Sequence, residues 1–173
     1  MKCPISEQRQ KLLLEESQKI INIHNKKYPS EDYLLGEKSV FVKSMVNSGF
    51  VFLDRGGSRY VFGIPESNEV VLKFDPYSRS NKEDWGWYWR RKPRNRRYFS
   101  KLYSHSENFN VLLCERLHTL NFDSIEKFIE CENRMKKLAK RKKWALEDIY
   151  VDNIMWRKDS TGRKTLVFCD FEH

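Results

Sequence analysis

A glycine pair, one lysine and three oxygen-bearing side chains toward the C-terminal end are the residues of this chain whose types and spacing could do chemistry. Gly56-Gly57-Ser58 separates the apolar runs Val51-Phe52-Leu53 and Tyr60-Val61-Phe62. A glycine turn there lets backbone N–H groups approach a phosphate with no side chain in the way. Lys73 ends the next apolar run, Val70-Val71-Leu72-Lys73, and can set an ammonium group against the same phosphate. Asp148, Asn153 and Asp170 offer the hard oxygen donors that Mg2+ takes alongside substrate phosphates. Together these types suit a phosphate-bearing ligand held with a divalent cation.

Each feature also has an ordinary reading. Gly56-Gly57 serves any hairpin, a lysine at a strand end is commonly solvated, and Asp and Asn favour turns for local hydrogen-bonding reasons. The specific reading comes from their joint order. Over residues 50 to 173 that order resembles the protein-kinase-like superfamily, in the small atypical form found among bacterial and phage kinases and related to the RIO and aminoglycoside-phosphotransferase branches. Lys73 stands where the family's phosphate-binding lysine ends its third strand, and Val61 follows the glycines as the adenine-packing valine does. Leu146-Glu147-Asp148 stands at His-Arg-Asp and keeps the aspartate. Asn153 falls five residues later, and Asp170-Phe171-Glu172 stands at Asp-Phe-Gly. Glu115-Arg116-Leu117 resembles the hinge whose backbone reads adenine.

The resemblance implies an α+β, protein-kinase-like fold, with a small antiparallel N-lobe sheet and an abbreviated, mostly helical C-lobe. It divides the chain into an N-terminal helical extension (residues 1–49), an N-lobe (50–117) and a minimal C-lobe (118–173). It implies ATP and Mg2+ as cofactors and transfer of the γ-phosphoryl group to a hydroxyl, most naturally a serine or threonine of a protein. Gly56, Gly57 and Ser58 would cover the phosphates and Lys73 would hold them. Val61, Glu115 and Leu117 would contact the adenine. Asp148 would orient the acceptor, and Asn153 with Asp170 would hold the metal.

The chain departs from the family pattern in places. Asp54 and Arg59 occupy the first and third glycine positions of the phosphate loop. Glu83 and Asp84 are the sole acids where the family places a helix glutamate beside its lysine. Three residues follow Asp170, so the sequence given carries neither an activation segment nor a helical substrate platform.

The 173 residues suffice for one domain or a compact two-lobed unit. No apolar run reaches membrane-spanning length and no signal-peptide core follows Met1, so a soluble, cytoplasmic protein is expected, in the host cytoplasm if viral. Four scattered cysteines, Cys3, Cys114, Cys131 and Cys169, give neither a disulfide framework nor zinc-ligand spacing. The net charge of +9 favours polyanions or acidic protein surfaces as partners.

Those residues need elements to position them. Residues 6 to 27 read as a helix capped by Ser6, with Leu12, Leu13, Ile20, Ile21 and Ile23 on its apolar side and an end at Pro29-Ser30. Residues 38 to 48 read as a second helix that stops at Gly49. Residues 50–54, 59–64 and 69–74 read as three antiparallel strands, the latter two separated by Pro65-Glu66-Ser67-Asn68. Ser80 and Glu83 have capping-box spacing and predict a helix start, with an interruption at Pro93 and a further helix over 94–104. Val111-Leu112-Leu113-Cys114 reads as a buried strand. A long helix is predicted over 124–142, with Ile125, Phe128, Ile129, Met135 and Leu138 inward, followed by a hairpin of 153–156 and 166–169 around Ser160-Thr161-Gly162.

One stretch lies outside the phosphate-site reading. From Trp85 to Lys101, basic residues interleave with aromatics, a pattern suited to phosphate backbone and stacked bases. It supports an alternative function: a catalytically silent kinase-like module that docks nucleic acid or a regulatory partner through Arg90, Arg91, Arg94 and Arg96. The same stretch also reads as helix packing with solvated arginines. The second basic run, residues 134 to 143, reads as a solvated helix face.

Overall fold

The computed structural model describes residues 2–27, 39–56, 59–122, 124–144, 153–159 and 161–169. They form an α+β structure in two compact units: residues 1–82 with 102–116, and residues 83–101 with 117–173.

The first unit is built on an antiparallel sheet of strands β1 (Val51–Arg55), β2 (Tyr60–Ile64), β3 (Ser67–Phe74), β4 (Leu102–His105) and β5 (Val111–Glu115), in the order β1-β2-β3-β5-β4. β3 is therefore central, flanked by β2 and β5. Helices α1 (Glu7–Lys27) and α2 (Val40–Asn47) cover one face. Their core centres on Phe41, whose ring lies 4.2 Å from Phe74, 5.8 Å from Tyr60 and 6.0 Å from Phe62. Because side chains alternate along a strand, Val70, Leu72 and Phe74 of β3 join this core while Val71 and Lys73 take the opposite face.

Ser6 caps α1 as expected, accepting from the Arg9 N–H at 3.2 Å. The buried line of α1 differs from the expected one. It runs through Gln10, Leu13, Leu14, Ser17, Ile21 and His24, whereas Leu12 is exposed and Ile23 is 67% exposed. Three polar residues within the three-and-four spacing hid this face from a reading based on apolar residues alone. Ser39 caps α2 by accepting from Val42 N–H at 3.0 Å, and Gly49, at φ +93°, ends it. Pro29 and Ser30 lie outside the described residues.

The turn joining β2 and β3 is shorter than expected. Ile64 pairs with Ser67, so Pro65-Glu66 alone makes it and β3 gains two residues at its start. Helix α3 (Arg79–Arg90) begins before the expected capping residue. The acid that organises its start is Asp75, whose carboxylate accepts from Tyr77 N–H at 2.9 Å and Asn81 N–H at 3.2 Å, so Ser80 falls inside the helix.

The predicted helix over 94–104 is replaced by the four-residue α4 (Pro93–Arg96), with proline in its first turn, and then by β4. Phe99 is fully buried and bridges Phe168, and Leu102 pairs with Cys114. These long-range pairings outweigh the local helical pattern.

The second unit contains α4, helix α5 (Ile125–Lys142) and the hairpin of β6 (Ile154–Lys158) and β7 (Lys164–Phe168). Its core is aromatic: Phe99 lies 4.5 Å from Trp87, 4.8 Å from Trp144 and 5.3 Å from Phe168 between ring centres. The expected apolar side of α5 is borne out at Met135 and corrected at Ile125 and Ile129. Met135 and Ala139 are its buried residues, while Ile125 is 72% and Ile129 56% exposed. The hairpin turn forms as expected, with Gly162 at φ +81° and the Asp159 carboxylate accepting from the Thr161 and Arg163 N–H groups. Among the described residues no helix is long and apolar enough to cross a membrane.

Candidate functional site

In the first unit the sheet brings two of the sequence-derived residues together. Val61 of β2 and Lys73 of β3 are register partners, and Lys73 is in turn the register partner of Leu112 on β5. Directly opposed residues of antiparallel strands project to the same face, so Val61, Lys73 and Leu112 form one row across three strands. That row is on the sheet face away from the α1 and α2 core. Lys73 is only 9% exposed, an unusual setting for a lysine and one that calls for specific polar surroundings.

The glycine turn closes the neighbouring strand pair. Gly56 N–H donates to Arg59 carbonyl at 2.9 Å, immediately before the pairing of Arg55 with Tyr60. Gly57 and Ser58 lie outside the described residues. Glu115 is buried at the end of β5 opposite Val70, and Arg116 N–H donates to Glu69 carbonyl at 2.8 Å, which extends the pairing into the hinge-like segment. Leu117, half-buried, begins the second unit's share of the chain.

The carboxyl end of β3 is fixed from α3. The Asn81 amide nitrogen donates to the carbonyls of Lys73 (3.1 Å), Phe109 (2.9 Å) and Asn110 (3.2 Å). The Asn110 amide in turn donates to the carbonyls of Asp75 and Pro76 at 2.9 and 3.1 Å. This asparagine lattice was not anticipated. Its sequence signal is slight, since two asparagines 29 positions apart meet only through the tertiary fold. Of the two acids at the helix position, Asp84 is buried and Glu83 half-buried.

In the second unit Asn153 stands at the base of the β6–β7 hairpin, where its carbonyl accepts from Cys169 N–H at 3.0 Å. This pairing sets Asn153 opposite the residue that directly precedes Asp170. Asp148 and Asp170 themselves lie outside the described residues. Among the described residues no group of three His, Cys, Asp or Glu side chains is arranged to hold a metal ion.

The arginines of the basic aromatic stretch make contacts within their own unit. Arg91 lies 3.8 Å over the Trp87 ring, and burial first, then the neighbouring Arg90 charge, holds its guanidinium below the ordinary arginine pKa. Arg96 lies 4.3 Å over Trp89 and donates to the carbonyls of Trp89 and Arg91. Arg90 donates to Gly86 carbonyl at 3.0 Å, whereas Arg94 is exposed.

No family model matches the chain, and no curated protein is similar enough to count as a relative.

Proposed function

We propose that this protein is an ATP- and Mg2+-dependent phosphotransferase of protein-kinase-like fold, acting on a serine or threonine hydroxyl of a protein. The observation that carries the reading is the cross-strand row of Val61 and Lys73 on the sheet face opposite the α1 and α2 core, on the strands joined by the Gly56 turn. An apolar side chain beside a buried ammonium suits a ligand with a flat base at one end and phosphates at the other. The central place of β3, between the glycine hairpin and the hinge-like strand, supports the same reading.

In this proposal Gly56, Gly57 and Ser58 cover the phosphates, and Lys73 neutralises charge on them. Val61 packs on the base while the backbone from Glu115 to Leu117 reads its edge. Asp148 accepts the proton of the attacking hydroxyl. Asn153 and Asp170 are the oxygen donors for Mg2+, which offsets phosphate charge when bound. An amide and a carboxylate suit this hard cation, and the pairing of Asn153 with Cys169 brings the backbone next to Asp170 alongside.

The test is thermal melting with and without MgATP. A ligand that binds only the native state raises the melting temperature by mass action. Wild type should shift and Lys73→Ala should lose most of the shift while melting cooperatively on its own. Equal shifts in both would place the nucleotide elsewhere.

A further inference from the structure

The excess positive charge of this chain is concentrated in one unit. The second unit holds 19 Lys and Arg against 12 Asp and Glu, the first 14 against 12. Some of that charge is engaged within the fold: Arg91 and Arg96 lie over tryptophans, and Arg157 donates to the carbonyls of Arg97 and Phe99 at 2.8 and 2.6 Å.

A different set lines an open groove of about 1040 Å3 between α5 and the β6–β7 hairpin. Arg134, Lys137 and Arg141 stand three and four positions apart on α5, so they share one face of the helix. Arg163 and Lys164 line the hairpin side. Among the described residues none of these five makes an ion pair, whereas Lys136, one position aside on α5, is paired with Glu132. Two acids, Glu126 and Glu130, line the part of the groove nearest the start of α5. The half-buried rings of Tyr98 and Trp156 also line it, with apolar Ile129, Met135, Leu138 and Leu166.

We propose that this groove binds single-stranded nucleic acid, with phosphates along the five basic side chains and bases against Trp156. Arg134 to Arg141 covers about 10 Å of helix axis, longer than one phosphate and suited to a charge that repeats. The Trp156 ring in the lining favours a single strand over an acidic peptide or a duplex, because unpaired bases offer faces that a ring can stack on. This site is separate from the proposed nucleotide site and does not depend on it.

The experiment is fluorescence anisotropy of the full chain with a labelled single-stranded oligonucleotide across a salt series. Four or five phosphate contacts give a slope of log K against log salt of about −3. Replacing Arg134, Lys137 and Arg141 together by alanine should weaken low-salt binding by about tenfold or more and flatten the slope by about 2. Trp156→Leu should weaken binding with the slope unchanged, and Trp156→Phe, which keeps a ring, should restore most of it. Lys43→Ala, an exposed lysine of α2 in the first unit, should change neither quantity. Wild-type affinity in the triple variant would overturn the proposal. So would equal competition by heparin and by an acidic peptide combined with no effect of Trp156→Leu, since the groove would then be an unselective polyanion surface.

Discussion

The Asn81 side chain, inside α3, donates its amide to the backbone carbonyl of Lys73, at 3.1 Å, and so ties the helix to the end of the lysine strand. The same amide nitrogen reaches the carbonyls of Phe109 and Asn110, and Asn81 is fully buried. One side chain thus joins the end of β3 and the start of α3 to the segment that leads into β5, 28 positions away. Asn81→Ala would leave buried carbonyls short of a donor, which costs about 1–3 kcal/mol. Asn81→Asp should be worse, because a carboxylate has nothing to donate to three carbonyl oxygens. Urea denaturation of both variants checks this, and an alanine variant within about 0.5 kcal/mol of wild type would mean that the anchor does not support the strand end.

The basic aromatic stretch gives a second expectation. The Arg91 guanidinium lies over the Trp87 ring, whereas Arg94 is exposed. Arg91→Ala should therefore lose about 1–2 kcal/mol, from the cation–π contact and the packing beneath it. Arg94→Ala should stay within about 0.5 kcal/mol. Arg91→Lys should not recover the loss, since an ammonium lacks the planar face. Equal stability of all three variants in denaturant would remove the structural role assigned to Arg91.

Much of this fold was legible from local pattern. The three strands around the glycine turn are rich in Val, Phe, Ile and Tyr and bounded by turn residues, so composition and turn signals reveal them. The capping serine Ser6 and the stop at Gly49 act through neighbours in sequence, so short-range chemistry reveals them. What escaped depends on distant partners. β4 is four residues long and exists because Leu102 and His105 pair with β5. Asp75, rather than Ser80, organises the start of α3 from outside the expected capping position. The basic face of α5 reads as plain solvated surface until the hairpin supplies its opposite wall, with Arg163 and Lys164 more than 20 positions away.

Acid should act on the link between α1 and the turn that joins β2 to β3. Arg9 donates from Nε to the Glu66 carboxylate. Burial alone would raise the Glu66 pKa, but the hydrogen bond and charge of Arg9 outweigh it and hold the carboxyl below the usual glutamate value of 4.5. A folded-state pKa below the unfolded one gives stability that is present above the unfolded pKa and lost as pH falls through the folded pKa. The pair is partly exposed, so its worth is at most about 1 kcal/mol. The difference in stability between wild type and Glu66→Gln should be present at pH 6 and close below about pH 4. A difference that persists unchanged at pH 3 would show that Glu66 acts through something other than its charge.

Nucleotide binding and phosphoryl transfer can be separated at two acids, Asp148 and Asp170. Asp170 directly follows Cys169, whose N–H donates to the carbonyl of Asn153, so the hairpin pairing runs up to the residue proposed to hold the metal. Asp170→Asn keeps the size of the side chain and removes its charge, and Mg2+, which favours carboxylate ligands beside substrate phosphates, would then be held poorly. Phosphoryl transfer from labelled ATP should be abolished in this variant and the thermal shift with MgATP reduced. Asp148→Asn removes the proton acceptor alone, so transfer should fall by about 100-fold or more while the MgATP shift stays close to wild type. Lys73→Ala should lose both readouts. Transfer that persists in well-folded Asp170→Asn would remove the metal assignment and most of the mechanism with it. A wild-type shift with MgATP and no transfer to any protein in a cell lysate would instead favour a nucleotide-binding module without catalysis.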